Sequence, residues 1–350
     1  MQMPVSVAII LDELEYKKKE SLLRKVIEKS IPHSTISFHY TTYENPVIRQ
    51  LFKLKHVGNF LYHLAYWLQS FLYAVKIRVL FKGNLTVVCF NPIVGYFLSL
   101  LAPWSAWRII LLGFLFEPKS NKTYYGLRKA FVRVIAARVA AFVVYSEAEI
   151  CLYETLFPKS AGKFRYVLYG RDFDLWNNRS FSSPYEIYVS SGGGSNRDYA
   201  TLCRAYEATN TQIPLCIATQ PENIKFKYNT SKINIRYDIR LDRFGDFLQK
   251  SKLVILPLMD YGISAGHMVL LHAMQLGKII IVASVPSVRE YVTDKEVIFY
   301  EPGNVHDLSD KIADVMIKIE EYRQRGENAR RIYTESFTFN ALLNRTLQIV

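Results

Sequence analysis

The chain has 350 residues, half of them apolar, and a formal net charge of +13. Its length admits two domains with separate cores, and its apolar fraction excludes a disordered chain. Four scattered cysteines (Cys89, Cys151, Cys203, Cys216) make no C-x-x-C pair, which argues against a zinc site or a disulfide framework and fits a reducing compartment. The first residues read as a strand, VSVAIIL, and not as a signal peptide; the amphipathic helix DELEYKKKESLLRKVIEKS comes after it. A second strand, TISFHY, leads into long helical sequence over residues 46–82. Then come the strand NLTVVCFNP, the helix IVGYFLSLL, the strand WRIILLGFLF and the basic helix YYGLRKAFVRVIAARV. The strand AAFVVYS precedes the helix EAEICLYETLF, which Ser146 is placed to cap, and KFRYVLYG closes the half.

The polar stretch RDFDLWNNRSFSSP reads as a linker, after which the alternation restarts. Its strands are YEIYVSS, IPLCIAT, INIRYDI, KLVILPL, KIIIVAS and EVIFYEP, with helices between them and a long helical tail. Such alternation implies parallel sheets covered on both faces, with ligands at the carboxyl ends of the strands, in the crevice between two doubly wound halves. Residues 93–116 are apolar enough in sum to span a bilayer, but Pro103 and Arg108 interrupt them, and helix–turn–strand is the better reading.

Charge divides unevenly. Residues 1–180 carry 24 Lys and Arg against 12 Asp and Glu, whereas residues 181–350 carry 20 against 19. Between Arg49 and Ala140 stand 13 basic residues and one acid, Glu117, interleaved with aromatics as in NFLYHLAYWLQSFLYAVKIRVLFKG. Either this is a solvated face around an ordinary core, or it meets something anionic; aromatics among cations suit the headgroup layer of an anionic membrane. Nucleic acid is raised by charge alone, with no motif to support it.

Two stretches carry chemistry. In YVSSGGGSNRDYATL the glycines Gly192, Gly193 and Gly194 come after a strand and precede a helix, where backbone N–H groups can approach a phosphate and Arg197 can add a charged contact. The stretch has no G-x-G-x-x-G and no G-K-[ST]. In YGISAGHMVLLHAMQLGKIIIV, Ser264, Ala265, Gly266 and His267 open a second helix, so that two helix N-termini, from Gly194 and Gly266, would face one diphosphate. His272 interrupts that otherwise apolar helix, as a ligand or as a buried core histidine.

The second half resembles the nucleotide-sugar domain of GT-B glycosyltransferases of the group 1, glycogen-synthase-like kind. The family pattern E-x7-E with a later A-M-x-x-G-K is similar to SAGHMVLLHAMQLGK, and PSVREYVTDKEVIFYEPGNVHDLSDKI resembles the family's next segment. SGGGSNRDYATL resembles the start of that domain, and AAFVVYSEAEICLYETLF a segment of the first half. The resemblance implies an α/β chain of two doubly wound Rossmann-like domains facing across a crevice. Residues 1–175 would bind the acceptor, 185–335 would bind the donor, and the helix 336–350 would pack back toward the first domain. It implies transfer of a sugar from a nucleoside diphosphate to a hydroxyl of a glycan. That glycan would be lipid-linked, in bacterial-type surface polysaccharide synthesis, with the protein peripheral on the inner face of the cell membrane.

Ser264 and His272 stand where the family has its two glutamates, which leaves open a non-catalytic subunit of a glycan-assembly complex. His272 can still hydrogen-bond a ribose hydroxyl, and Ser264 can bond the sugar or cap the helix. Glu290 matches a later family glutamate, and Tyr237, Ile239 and Asp242 fall in the segment that grips the base. Glu117 reads as a general base for the acceptor hydroxyl or as an ion-pair partner of Lys119, Lys122 or Arg128. No Asp-x-Asp metal motif appears, and no cofactor is expected beyond the donor substrate.

Overall fold

Two runs of strand–helix alternation give two parallel sheets of six strands each among the described residues. They are described from a computed structural model covering residues 6–11, 14–41, 58–102, 106–117, 122–175, 187–239 and 241–349. Met1–Val167 together with Leu343–Val350 form one compact unit, and Leu168–Leu342 form the other.

The first unit holds β1 (Ser6–Leu11), β2 (Thr35–Tyr40), β3 (Leu85–Cys89), β4 (Trp107–Leu112), β5 (Val139–Val144) and β6 (Phe164–Tyr166), in the order β2–β1–β3–β4–β5–β6. Its helices are α1 (Glu20–Ser30), α2 (Gly58–Leu80), α3 (Pro92–Leu101), α4 (Lys122–Ala136) and α5 (Glu147–Leu156). Residues Val7–Leu11 are buried without alternation, as a strand covered on both faces must be. Each such Val, Ile or Leu side chain contributes about 1.5–3 kcal/mol on full burial. The apolar run 93–116 divides into α3 and β4, and Gly95 of α3 lies so close to the Leu111 side chain of β4 that a Cβ there has no room. Among the described residues no helix is long and apolar enough to cross a membrane.

The unit's helices supply their own caps. The Asn91 side chain accepts from the N–H groups of Ile93 and Val94 at the start of α3. Ser146 and Glu149 form a reciprocal capping box on α5, where the buried Glu149 carboxylate also accepts from Tyr153 Oη.

The second unit holds β7 (Val189–Gly192), β8 (Leu215–Ala218), β9 (Ile233–Arg236), β10 (Leu253–Leu256), β11 (Ile280–Ala283) and β12 (Ile298–Tyr300), in the order β12–β11–β10–β7–β8–β9. Its helices are α6 (Tyr199–Ala208), α7 (Leu241–Lys250), α8 (His267–Gln275), α9 (Pro286–Arg289), α10 (Val305–Ile317) and α11 (Ile319–Ser336); α12 (Phe339–Leu347) ends the chain. From β7 the chain winds outward through β8 and β9. It then returns to β10 and winds the other way, so the winding reverses between β7 and β10. Loops leaving two strands that diverge in this way leave a crevice at their carboxyl ends, the topological switch point.

The linker expected over residues 171–184 begins later than its polarity implies. The Arg171 N–H donates to the Phe337 carbonyl at 2.9 Å, the Asp172 carboxylate accepts from the Phe339 N–H at 3.0 Å, and Phe173 is buried. Residues 171–175 are therefore built into the second unit, and 176–186 lie outside the described residues. At the far end of α8, Lys278 of the Gly-Lys stop donates to the carbonyls of Gln249 and Ser251, where α7 presents the negative end of its dipole.

Candidate functional site

The loops after β7 and β10 meet at the switch point of the second unit and are stitched together by main-chain bonds. Asp198 N–H donates to the Pro257 carbonyl and Met259 N–H to the Asn196 carbonyl, both at 3.0 Å, and Arg197 bridges to Leu258. The link from the glycine loop to the start of α8 runs through Leu258, which pairs with Arg197 and packs its methyl carbons against Gly266. Gly192 is buried, and a Cβ on it would lie 2.6 Å from the Phe244 ring, so glycine is required for the close approach. The Gly193 carbonyl accepts from Tyr199 Oη at 2.6 Å and Thr219 Oγ1 at 2.8 Å, which fixes the loop from below.

Arg197 turns inward. Its Nε donates to the Gly192 carbonyl at 2.9 Å and its Nη1 to the Ser195 carbonyl at 2.6 Å. The guanidinium braces the glycine loop, and burial pulls its pKa down.

The two helix N-termini differ. α6 does not begin at Gly194 but at Tyr199, and its N-cap is Asp198, whose carboxylate accepts from the Thr201 N–H at 3.0 Å. A carboxylate already occupies that positive end. The equivalence of the two ends expected from sequence fails here, because Asp is among the best N-cap residues and takes the first-turn donors for itself. α8 begins after Gly266, which holds φ +84° and has no side chain to accept from the first turn. That left-handed backbone, with Leu258 methyl carbons 3.1 Å from the position of a Cβ, explains the glycine. The positive end of α8 is the one left for an external anion.

Both histidines of α8 are buried. His267 Nε2 lies 2.8 Å from the Ser287 carbonyl, so that nitrogen carries the proton, and the ring stacks on Tyr291 at 4.2 Å. Burial pushes its pKa down to about 4, and the nearby Arg197 charge acts in the same direction. His267 thereby ties α9 to the start of α8; Glu290 is half-buried at the end of α9. The His272 ring stacks on Phe173 at 4.4 Å with planes 12° apart, and Phe244 lies 6.2 Å away. His272 Nε2 is buried and has no hydrogen-bond partner. Burial lowers this pKa to about 4 as well, with Arg171 adding to the shift. At neutral pH the ring is uncharged, and the orphaned nitrogen costs about 1–3 kcal/mol unless something meets it.

Of the remaining candidates, Ser264 is half-buried just ahead of α8. Tyr237 is half-exposed after β9, whereas Ile239 packs against the core of the unit; the side chain of Asp242 lies outside the described residues. Glu117 belongs to the first unit, half-buried after β4. Arg128 donates to its main-chain carbonyl at 3.2 Å and stacks on Phe116 at 4.7 Å. Sequence reasoning missed Phe173, Phe244, Thr219 and Tyr291, which shape the site through ring contacts and one carbonyl bond that no motif encodes. Asp198 could have been found from the N-cap preference alone. Among the described residues no group of three or more His, Cys, Asp or Glu could hold a metal ion.

Residues 180–332, the span that carries both loops and both histidines, match the family model described as glycosyl transferases group 1. This part of the chain resembles a group 1 glycosyltransferase domain. The chain shares the GT-B fold with solved structures over almost its whole length. HepE from Anabaena, solved in complex with UDP and glucose, is 12% identical, with 98% of each chain covered and a TM-score of 0.62. Sucrose-phosphate synthase from Thermosynechococcus elongatus is 13% identical, with 97% of this chain and 96% of that chain covered and a TM-score of 0.63. A UDP-forming α,α-trehalose-phosphate synthase from Burkholderia vietnamiensis is 9% identical, with 99% and 100% covered and a TM-score of 0.58. No curated protein matches the chain by sequence.

Proposed function

We propose that the protein is a glycosyltransferase that moves a sugar from a UDP-sugar to a hydroxyl of a glycan acceptor, with the donor diphosphate between the loop Gly192–Ser195 and the start of α8. The observation that carries the proposal is the pairing of a helix end that Gly266 leaves without a side-chain cap with the orphaned Nε2 of His272 in the same helix. The first supplies a positive dipole end for the diphosphate, and the second a single hydrogen bond for a ribose hydroxyl. UDP is favoured among the nucleotides because the solved relatives include one with bound UDP and one described as UDP-forming.

In the transfer, the bond between the anomeric carbon and the diphosphate oxygen breaks, and a bond to the acceptor oxygen forms. The hydroxyl proton passes to a base, for which Glu117 is proposed, while the negative charge gathers on the departing diphosphate. Stabilising that charge is where a helix N-terminus acts on the rate. No metal or cofactor enters the proposal.

The cationic, aromatic character of residues 49–140 supports an acceptor that is lipid-linked, assembled at the inner face of a membrane as in surface polysaccharide synthesis. Calorimetry tests the donor site directly: UDP binds, and UDP-sugars release UDP when an acceptor glycan is added. Absence of binding by UDP, GDP, ADP and TDP alike overturns it.

A further inference from the structure

α2 is folded with its most apolar face outward. The side it buries carries Ser70, Ala74 and Ile77, and Ser70 Oγ bonds back to the Tyr66 carbonyl. The side it exposes carries Leu64, Trp67, Leu68, Phe71, Leu72, Val79 and Leu80, with Leu68 and Leu72 each 58% exposed. Residues 64, 68, 71, 72 and 79 keep helical spacing, so they form one stripe. α4 presents a parallel case, with Leu127 66% and Val134 60% exposed. Trp67 of α2 lies 6.4 Å from Phe131 of α4, ring to ring, and Trp67 and Phe71 both rest edge-on against Phe97 of α3. Phe131 lies between Leu127 and Val134 on the helix, so the two apolar stripes form one continuous face.

The charges on this face have one sign. Neither α2 nor α4 contains an acidic residue. Lys76 and Lys122 are exposed on these helices, as are Arg133 and, just after α2, Lys82. A second copy of the chain would set these cations against themselves, and a typical monomer does not expose so many large apolar side chains together. A surface that offers both hydrocarbon and negative charge over the roughly 35 Å of a 23-residue helix is an anionic bilayer.

We propose that the α2–α4 face of the first unit lies in the headgroup layer of an anionic membrane, with the leucine stripe inserted and the lysines and arginine at the phosphates. The proposal deepens the lipid-linked reading of the acceptor and rests on it; vesicle binding and UDP binding are read separately, so either can fail alone. The experiment is flotation of the full chain with vesicles of phosphatidylcholine, with and without phosphatidylglycerol. Binding is expected only with phosphatidylglycerol, and it should weaken with salt. Replacing Lys76, Lys82 and Arg133 by glutamate should weaken it by about fivefold or more per residue at low salt.

The triple variant Leu68→Gln, Leu72→Gln, Leu127→Gln should lose the binding that survives high salt, by about tenfold or more. Because all three side chains are exposed, its melting temperature and UDP affinity should stay at wild-type values. Equal vesicle binding by wild type and this variant, or no binding to either vesicle, overturns the proposal. So does a dimer in ultracentrifugation that the variant dissolves, which would assign the face to a second copy, or a stable complex with an acidic protein that competes with vesicles.

Discussion

The two units share a doubly wound plan but treat the ends of their strands differently. In the first unit, the helices after β3 and β5 are closed by their own side chains, Asn91 on α3 and Ser146 with Glu149 on α5. In the second, α6 is closed by Asp198 and α10 by Asn304, yet α8 starts from a glycine with no side chain to offer. The contrast reappears on the surfaces: the first unit exposes an apolar, cationic helical face, whereas its turns after β3 and β5 are closed by their own side chains. A fold of this kind thus separates two tasks by where it leaves chemistry unfinished. A helix end without a cap invites an anion, and a helix face without a cover invites a lipid surface.

The largest expected effect comes from making the second unit resemble the first. Gly266→Asp would give α8 the carboxylate cap that α6 already has and would set a negative charge against the diphosphate. Loss of one hydrogen bond to a charged group is worth about 1.5–3 kcal/mol, so UDP affinity should fall by about 10- to 150-fold in calorimetry. The left-handed backbone at this position adds a stability cost of about 1–2 kcal/mol, and the Leu258 methyl carbons must shift from the new Cβ, so the melting temperature should fall and UDP affinity is read below it, on folded protein. Unchanged UDP affinity would show that the α8 terminus does not hold the diphosphate.

How much of this was legible in the sequence obeys the same division. The strands were readable because parallel strands buried on both faces are unbroken apolar runs, as in LVIL of β10 and IIVA of β11. The two glycine loops were readable as strand–helix turns, and the pattern around Ala273–Lys278 resembles a known family, but glycine serves packing as well as ligands: Gly192 makes room for the Phe244 ring and Gly266 takes a left-handed backbone. Directions were not readable. Nothing in SGGGSNRD says that Arg197 turns to the carbonyls of its own loop, or that Asp198 and not a glycine opens α6. Phe173 sits in a polar stretch that looks like linker, and only tertiary packing reveals its ring against His272. The composition of α2 showed aromatics and cations together but not that the leucines face outward, since a helix apolar on both sides has no preferred face of its own.

A second, smaller effect is read by pH, and it is centred on the second unit although burial also lowers the pKa of His39 in the first. His267 and His272 both belong to the second unit, and burial holds each near a pKa of about 4, below the unperturbed 6.5. Between those values the unfolded chain binds protons that the folded chain refuses, so stability rises with pH through this window and is lost as pH falls from 6.5 toward 4. At pH 5 each histidine should cost on the order of 1–2 kcal/mol relative to pH 7. The melting temperature should drop accordingly, and the drop should be smaller in a variant lacking either ring. A melting temperature independent of pH over this range would mean that neither ring is held neutral by the fold.

The smallest effect is the sharpest test of what His272 is for. The ring has two roles that alanine would confuse, packing against Phe173 and Phe244 and offering Nε2 to something absent. His272→Phe separates them. A phenyl ring keeps the stack at 4.4 Å on Phe173 and removes a buried polar atom that has no partner, so the melting temperature at pH 7 should hold or rise. If Nε2 meets a ribose hydroxyl of the donor, the same change removes one neutral hydrogen bond, worth about 0.5–1.5 kcal/mol, and UDP binds about 2- to 12-fold more weakly. Analogues of UDP lacking the ribose hydroxyls should then bind wild type and variant alike, because there is no bond left to lose. If the variant instead gains stability and keeps full UDP affinity, His272 is a core histidine in the place of a glutamate, and the donor is held without it.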